Sequence, residues 1–272
     1  MKKAASFALG CKVNQYESEA IAELFAEKGY EIVGIDEEAD VYVINTCTVT
    51  NFGDKKSRQL IRKVKRQNEN AIVAVVGCYA QTAPKELMEI AGVNLVIGTK
   101  DRAQIVEMVE QYDRANGVEN HVSDIMKERV FEPLSIQKLA NRTRAYLKIQ
   151  DGCSQYCSYC IIPYARGPIR SREPQKVVAE VKRLAENGFK EVVLTGIHVA
   201  SYGKDRRDTS LLDILKQVHE VEGIERIRFS SIEPNVVTEE FAQTMAALPK
   251  VCDHFHLSLQ SGCDKTCLLY TS

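Results

Sequence analysis

The feature that most constrains the fold is a regular alternation between short apolar runs and segments with helical periodicity. In the first half of the chain the apolar runs have the length of strands, and they lie at residues 4–9, 41–45, 71–76 and 95–97. Strands that are separated by helices pair in parallel through right-handed crossovers. The first half therefore predicts an α/β fold with an open parallel sheet over residues 1–113.

The helices between these runs carry recognisable end signals. Asn14 is predicted to cap the first helix, with Glu17 as its capping-box partner, and Gly29 is predicted to end it. Further helices are expected at residues 54–67, from 84 onward and at 101–112.

The second half of the chain restarts the same alternation after a polar segment without a clear period. Residues 114–143 are interpreted as a linker between two domains. Beyond it, strands are predicted at residues 145–149, 191–195, 226–230 and 254–259, with helices between them. A β-barrel cannot close on four strands. Residues 144–272 therefore predict a partial (β/α) barrel.

Composition and charge exclude several classes of protein. Hydrophobic residues make up 44% of the 272 residues and charged residues 27%, which suits a folded core and excludes a disordered tail. The longest apolar run, at residues 71–76, is too short to span a bilayer, and no signal-peptide core follows Met1. We therefore expect a cytoplasmic protein without a membrane partner. With 36 basic and 37 acidic residues, any nucleic acid must be met by local patches.

Three of the nine cysteines form a compact motif immediately after a predicted strand. Cys153, Cys157 and Cys160 have the spacing C-x3-C-x2-C. Structural zinc sites use four ligands, usually as two C-x2-C pairs, whereas three close thiolates suit a cubane iron–sulfur cluster with one iron left open. The motif therefore favours such a cluster. The alternative is a zinc site whose fourth ligand lies elsewhere, for example His198.

Three further cysteines each follow a predicted strand of the first domain by one or two residues. They are Cys11, Cys47 and Cys78. Because the carboxyl ends of parallel strands share one edge of a sheet, these thiols can converge on a second centre. The alternative is three separate buried thiols. Cys252, Cys263 and Cys267 have no comparable placement.

Two groups of basic residues are candidates for binding RNA phosphates. The predicted helix after Cys47 carries Lys55, Lys56, Arg58, Arg62, Lys63, Lys65 and Arg66. A smaller group follows the compact motif and consists of Arg166, Arg170 and Arg172. The location of the first group favours RNA, and the alternative is a solvated helix face.

The residues around both cysteine sets resemble one enzyme family, over nearly the whole chain to about Lys265. The matching segments are Leu9-Gly10-Cys11, Asn45-Thr46-Cys47, Gly77-Cys78, Gln150-Asp151-Gly152-Cys153, Cys157-Ser158-Tyr159-Cys160-Ile161-Ile162-Pro163, Arg166-Gly167 and Ser171-Arg172. They resemble the methylthiotransferases of the radical S-adenosylmethionine (SAM) superfamily.

The resemblance implies cofactors, partners and further site residues. It implies two [4Fe-4S] clusters, one on each cysteine set, with SAM bound at the open iron of the cluster on Cys153, Cys157 and Cys160. It implies a one-electron donor such as flavodoxin or ferredoxin, and the anticodon stem-loop of tRNA as partner. For SAM, the expected neighbours are Tyr159, Thr195, Gly196, Glu233 and Gln260.

Within the family, the segments around Cys11, Cys47 and Cys78 resemble the branch that acts on N6-threonylcarbamoyladenosine at position 37 of tRNA. This resemblance implies that the nucleoside is converted to its 2-methylthio form. Three alternatives stay open. They are the branch acting on isopentenyladenosine-37, the branch acting on a ribosomal-protein aspartate, and a non-catalytic metal-binding RNA module.

The last residues depart from the family pattern. The rest of the barrel and the small RNA-binding β-domain (TRAM) expected of the family are absent from the chain. Residues 267–272 resemble the translation of a sequencing adaptor, so we expect a C-terminally truncated sequence in which Cys267 is not native. For such a chain we expect aggregation or weak tRNA binding, and little turnover.

Overall fold

The computed structural model describes residues 1–48, 51–136 and 144–265, without the side chains of 51–54. The described chain divides into two compact units. The first comprises residues 1–128, 132–136 and 164–167, and the second comprises residues 129–131, 144–163 and 168–265. Each unit is built around its own sheet.

The first unit contains a six-stranded sheet in which every neighbouring pair is parallel. The strands are β1 (Lys3–Ala8), β2 (Glu31–Ile32), β3 (Val41–Thr46), β4 (Ile72–Gly77), β5 (Leu95–Ile97) and β6 (Glu119–His121). Their order across the sheet is β2-β1-β3-β4-β5-β6. The predicted open parallel sheet is confirmed.

Helices follow the strands of this sheet, and apolar side chains pack on both of its faces. The helices are α1 (Lys12–Glu27), α2 (Asn51–Gln67), α3 (Cys78–Thr82), α4 (Pro84–Met88) and α5 (Ile105–Gln111). Tyr42 and Ile44 of β3 pack in one buried cluster, and Val41 and Val43 pack in the other. A parallel strand that is covered on both faces has a continuous apolar sequence rather than an alternating one. All six residues of β3 are buried.

Three local features of this unit differ from the sequence predictions. Helix α1 begins at Lys12 with Cys11 at its N-cap, so the prediction that Asn14 caps the helix is wrong. Part of the predicted linker is strand β6, which pairs with β5. Strand β2 was not predicted, because two exposed residues carry no apolar run. The predicted stop at Gly29 is confirmed, since Gly29 follows the helix with a φ of 84°.

The second unit contains a four-stranded sheet with the order β10-β9-β7-β8. Its strands are β7 (Arg144–Asp151), β8 (Arg170–Ser171), β9 (Glu191–Gly196) and β10 (Arg226–Phe229). Strands β7, β9 and β10 are parallel, and β8 is antiparallel to β7. The helices are α6 (Ile162–Arg166), α7 (Pro174–Glu186), α8 (Leu211–His219) and α9 (Glu239–Ala246), and residues 164–166 of α6 belong to the first unit. The predicted partial barrel is confirmed.

The predicted strand at residues 254–259 is wrong. In this region the structure has only isolated parallel bridges, which join Val251 to Ile227 and Leu257 to Ile232. Phe255, Leu257 and Leu259 are exposed, so the alternating pattern lacks the buried face that stabilises a strand.

Every helix in the described residues is too short or too polar to cross a bilayer.

Candidate functional site

Three neighbouring strands of the first sheet each deliver one cysteine at the carboxyl edge. Cys47 directly follows β3, and Cys78 directly follows β4 and begins α3. Cys11 lies at the N-cap of α1 after β1. Strands β1, β3 and β4 are adjacent in the sheet, so the three cysteines are brought to one edge.

Two glycines allow the cysteine-bearing loops to approach one another closely. Gly10 has a φ of 101°, and a Cβ placed on it would lie 2.8 Å from the Sγ of Cys47. Gly77 has a φ of 97°, and its Cβ would lie 2.7 Å from the carbonyl oxygen of Thr46. Both positions therefore combine a left-handed backbone with a spacing that excludes any side chain.

Asn14 ties together the loops that follow β1 and β3. Its Nδ2 donates to the carbonyl oxygen of Leu9 at 2.8 Å and to that of Thr46 at 2.9 Å. Asn45 in turn donates through its Nδ2 to the carbonyl oxygen of Asn14 at 3.2 Å. Asn14, which the sequence predicted as a helix cap, is thus a buried residue that holds these two loops together by hydrogen bonds.

A fully buried arginine lies beside the same thiols. Arg166 donates from Nε to the Sγ of Cys78 at 3.1 Å, from Nη1 to Oε1 of Glu17 at 2.6 Å, and from Nη2 to Oδ1 of Asn14 at 2.6 Å. The other oxygen of Glu17 is 2.6 Å from Nη1 of Arg102. Glu17 is therefore not a capping-box partner; it is the shared anion of two buried guanidinium groups.

At this edge, the thiols of Cys11 and Cys78 lie close to each other and to the positive charge of Arg166. Burial raises the pKa of the Cys78 thiol, and the charge of Arg166 opposes that rise. A thiolate at Cys11 would raise the pKa of Cys78 further. Desolvation also raises the pKa of the Cys11 thiol, again against Arg166. A positively charged metal centre would remove this penalty, because thiolates are its natural ligands.

The second cysteine set lies on a loop after β7, in the second unit. Cys153 follows the strand by two residues, and the amide of Cys160 donates to the carbonyl oxygen of Cys157 at 2.9 Å. Burial raises the pKa of the Cys153 thiol, and the sulfurs of Cys160 and Cys157 raise it further. These three sulfurs are therefore near neighbours on the short loop between β7 and α6.

Neither set is drawn together tightly enough to form a metal-binding group of three within the described residues. No cysteine from Cys11 to Cys263 in those residues forms a disulfide. Soft thiolate donors, glycine-lined approaches and neighbouring sulfurs nevertheless fit an iron–sulfur cluster at both places.

Of the residues predicted to line the SAM site, Glu233 is the one that meets the cysteine loop. Its Oε2 accepts from Nε2 of Gln155 at 3.1 Å and lies 3.3 Å from Nε2 of His198. The Nδ1 of His198 lies 2.6 Å from the hydroxyl of Ser201. Both ring nitrogens of His198 are therefore engaged, which does not suit the fourth zinc ligand of the alternative interpretation.

Thr195 and Gly196 lie at the carboxyl end of β9, as predicted. A Cβ on Gly196 would lie 2.7 Å from Oε1 of Gln150, which accepts from the amide of His198 at 2.8 Å. The buried Oγ1 of Thr195 has no hydrogen-bond partner among the described residues. The structure thus brings Gly196 and Glu233 together with Gln150, Gln155 and His198. Thr195 precedes Gly196 on β9.

The two remaining predicted residues, Tyr159 and Gln260, are exposed. Tyr159 is 58% exposed on the cysteine loop. Gln260 is exposed with a φ of 58°, and in the described part of the chain no hydrogen bond joins it to that loop.

The prediction that the smaller basic group binds RNA is wrong, because all three of its arginines are buried and paired with carboxylates. Arg166 pairs with Glu17 at 2.6 Å. Arg170 pairs with Asp151 at 3.6 Å, and Arg172 pairs with Glu180. A guanidinium that is enclosed in this way neutralises an internal carboxylate and presents no charge to a phosphate.

The larger basic group does lie on the surface of α2, although some of its charges are already paired. Lys55, Lys56, Arg62, Lys63 and Arg66 are exposed. Lys63 pairs with Asp36, and the half-buried Arg58 pairs with Glu86 at 3.0 Å.

Sequence reasoning assigned no supporting role to four residues beside the sites, which are Arg102, Glu132, Gln150 and Gln155; of these, Arg102 and Gln150 are buried. Arg102 donates from Nε to Glu132 at 2.9 Å. One signal was available: Asn14 and Glu17 share a face of α1 with the buried Tyr16, Ala20 and Ile21. Polar residues in a buried stripe are expected to have buried partners.

Comparison with known proteins finds matches in both halves of the chain. Residues 3–98 match the uncharacterized protein family UPF0004, and residues 147–270 match the radical SAM superfamily. The threonylcarbamoyladenosine tRNA methylthiotransferase MtaB of Bacillus subtilis is 49% identical over 263 residues, which cover 96% of this chain and 58% of that protein. The chain belongs to the methylthiotransferase family of radical SAM proteins.

Two further relatives are less similar to the chain. MtaB of Aquifex aeolicus is 41% identical, over 97% of this chain and 64% of its own length. The tRNA-2-methylthio-N(6)-dimethylallyladenosine synthase of Dictyoglomus thermophilum is 35% identical, over 94% of this chain and 59% of its own length. The chain therefore spans about three-fifths of the length of these relatives.

A solved structure resembles the chain in fold. The radical S-adenosylmethionine methyltransferase TsrM from Kitasatospora setae aligns with a TM-score of 0.59 at 17% identity, over 91% of this chain and 58% of TsrM. At this identity the likeness concerns the fold alone.

Proposed function

We propose that this chain forms the cysteine-bearing part of a radical SAM methylthiotransferase that converts N6-threonylcarbamoyladenosine-37 of tRNA to its 2-methylthio form. The observation that carries the proposal is the pair of cysteine triplets at strand ends, in a chain 49% identical to MtaB of Bacillus subtilis. The lower identity of 35% to the dimethylallyladenosine synthase favours threonylcarbamoyladenosine over the other tRNA substrate.

The chemistry explains why two cysteine sets are needed. Position C2 of an adenine carries an unactivated C–H bond that acids and bases cannot open. Cys153, Cys157 and Cys160 would hold one [4Fe-4S] cluster with an open iron, where bound SAM supplies a radical that removes this hydrogen. Cys11, Cys47 and Cys78 would hold a second cluster, which would carry or supply the methylated sulfur. The protein supplies position and exclusion of water.

The residues around the second triplet have defined tasks in this proposal. Glu233 and His198 fix the cysteine loop through Gln155. Because Gly196 has no side chain, the end of β9 can approach Gln150 closely. The hydroxyl of Thr195 is a hydrogen-bonding group for SAM. Tyr159 and Gln260 are assigned to the same ligand, Tyr159 beside its adenine ring.

The proposal also names partners and a compartment. The exposed cations of α2 are assigned to phosphates of the tRNA anticodon stem-loop. A cytoplasmic one-electron donor such as flavodoxin or ferredoxin would reduce the cluster that binds SAM.

Nucleoside mass spectrometry tests the function directly. The gene encoding these residues is expressed in a bacterial strain that lacks its own threonylcarbamoyladenosine methylthiotransferase, and total tRNA is digested. We expect 2-methylthio-N6-threonylcarbamoyladenosine to appear, and to be absent with the matched Cys47→Ala variant at equal protein level.

Other outcomes separate the alternatives. A methylthio product on isopentenyladenosine would transfer the proposal to that branch. Modification of a ribosomal-protein aspartate, or zinc in place of iron in the purified protein, would reject the tRNA enzyme.

A further inference from the structure

The strongest unassigned feature is the buried group of charges next to Cys78. Arg166 and Arg102 are both fully buried, and both bind the equally buried Glu17. Arg166 donates to both carboxylate oxygens of Glu17, at 2.6 and 3.2 Å, and Nη1 of Arg102 lies 2.6 Å from Oε2. Burying charge is costly unless every group is paired. Arg102 is additionally paired with Glu132 at 2.5 Å. Two guanidinium groups and two carboxylates therefore balance to zero charge within the first unit.

One bond in this group is unexplained by charge pairing alone. After Glu17 and Asn14 have taken its two terminal nitrogens, Arg166 directs Nε to the sulfur of Cys78 at 3.1 Å. A neutral thiol is a weak acceptor, so a buried guanidinium gains little from it. A metal-bound thiolate is a negatively charged acceptor, and hydrogen bonds to ionised groups are about twice as strong.

The same group reaches the other two cysteine loops through Asn14. The Oδ1 of Asn14 accepts from Arg166 and lies 3.7 Å from the Sγ of Cys11. Its Nδ2 holds the carbonyl oxygen of Thr46, the residue before Cys47. Arg166 is thus fixed to the frame that carries all three thiols.

We infer that Arg166 is a positioning residue for the centre on Cys11, Cys47 and Cys78: its Nε–H bond to the Cys78 sulfur orients that ligand and raises the reduction potential of the cluster. This inference rests on the proposed second cluster. Hydrogen bonds to cluster sulfurs and the net charge nearby are established determinants of iron–sulfur potentials. Removing this bond and its positive charge should make the cluster harder to reduce.

The chain offers a matched control in Arg102. Both arginines are fully buried and both bind Glu17, so loss of either leaves the same excess negative charge in the first unit. Among the hydrogen bonds that the structure describes for these two arginines, the one to a cysteine sulfur comes from Arg166. A purely structural role predicts equal effects of the two substitutions, whereas the positioning role predicts that the potential responds to Arg166 far more strongly.

The test uses the chain in which Cys153, Cys157 and Cys160 are replaced by Ala, so that the N-terminal cluster alone contributes. Iron per chain and the midpoint potential are measured anaerobically, by titration followed by electron paramagnetic resonance. For Arg166→Gln we expect a roughly tenfold shift of the reduction equilibrium toward the oxidised cluster, which equals about 59 mV for a one-electron couple. For Arg102→Gln we expect less than about a twofold shift.

A second variant covers the case in which Arg166→Gln does not accumulate. Arg166→Lys keeps the charge but cannot reproduce the three-directional binding of a guanidinium. It should retain iron and shift the potential in the same direction by a smaller amount. The inference is overturned if iron is bound and Arg166→Gln, or Arg166→Lys in its place, has the midpoint potential of its parent or of Arg102→Gln.

The parent chain separates this inference from the function on which it rests. If the triple-alanine chain binds no iron, the second cluster of the proposed function is absent and the role of Arg166 falls with it. If it binds iron and the arginine variants leave the potential unchanged, the role of Arg166 alone is rejected.

Discussion

The two cysteine triplets differ in how their members are distributed along the chain and in how the protein holds them. Cys153, Cys157 and Cys160 share one loop that extends from the end of β7. Cys11, Cys47 and Cys78 come from three strands and lie beside a buried network of charges. A local motif can rely on a short loop, whereas a dispersed one depends on the sheet and on buried side chains that fix it.

Because of this difference, we expect the two triplets to respond differently to substitution. Substitutions of the cysteines in the loop after β7 should act on chemistry with little effect on folding, because these cysteines are half-exposed. Substitutions around the first triplet should act on stability and chemistry together, because Asn14, Glu17 and Arg166 are all fully buried.

The largest expected effect separates the two triplets by function. Cys157→Ala should abolish reductive cleavage of SAM, because the cluster with the open iron loses a ligand. The triplet of the first unit should still assemble, so iron should fall from roughly eight to roughly four per chain. Anaerobic assay of 5′-deoxyadenosine together with iron analysis measures both. Cys252→Ala, outside both triplets, is the control, and SAM cleavage at the parent rate in Cys157→Ala would remove the radical SAM assignment.

The next effect concerns the charge network of the first unit. Glu17→Ala leaves two buried guanidinium groups without their shared carboxylate, which should cost about 3–5 kcal/mol of unfolding free energy. Hydrogen-exchange mass spectrometry of the β3 and β4 peptides measures this loss. Asp36→Ala breaks an exposed ion pair with Lys63 and should cost no more than about 1 kcal/mol. Equal protection in the two variants would mean that the buried network does not support the cysteine edge.

Much of the fold was predictable because its signals are local. The apolar runs of β3, β4 and β5 were placed within one or two residues, and the stop at Gly29 was correct. Strands β2 and β6 escaped prediction because they hold two or three residues without an apolar run, and they exist through pairing with β1 and β5. The strand predicted at 254–259 failed for the opposite reason: it has the alternation but no buried face.

Prediction from sequence is limited in the same way, and more strongly, for the candidate sites. Spacing alone indicated the triplet after β7, and the order of strands and helices indicated the dispersed triplet. Nothing in the spacing of Arg166 distinguishes it from Arg170 and Arg172 as a surface cation, yet it lies beside Cys78. Partners that are distant in sequence are set by tertiary packing, and a single sequence carries no direct record of them.

A glycine comparison tests the close approach of loops at the first triplet. Gly77→Ala places a Cβ 2.7 Å from a backbone oxygen and keeps a φ of 97°, so strain and overlap together should cost about 2–4 kcal/mol. Gly188→Ala, after α7, has a φ of 88° with nothing within 4 Å of its Cβ, and should cost about 1–2 kcal/mol from backbone strain alone. Hydrogen exchange in each unit measures the two losses, and a smaller loss at Gly77 would contradict the tight packing of the cysteine edge.

The smallest effect concerns a neutral support in the second unit. The hydroxyl of the buried Tyr202 donates to the carbonyl oxygen of Arg172 at 2.8 Å. Tyr202→Phe removes this bond, so it should cost about 1 kcal/mol near neutral pH. Urea titration of the variant and the parent, side by side, measures the difference.

The pH dependence of that difference identifies its cause. Burial raises the pKa of Tyr202 above its ordinary value of 10.0, so the folded state favours the protonated phenol. The corresponding stability is fully present below pH 10 and is lost as the pH rises from there toward the folded-state pKa. Phenylalanine has no such proton, so the parent should lose stability above pH 10 faster than Tyr202→Phe, and the gap between them should narrow. A gap that stays constant from pH 7 to beyond pH 10 would mean that the hydroxyl of Tyr202 is as accessible to solvent when folded as when unfolded.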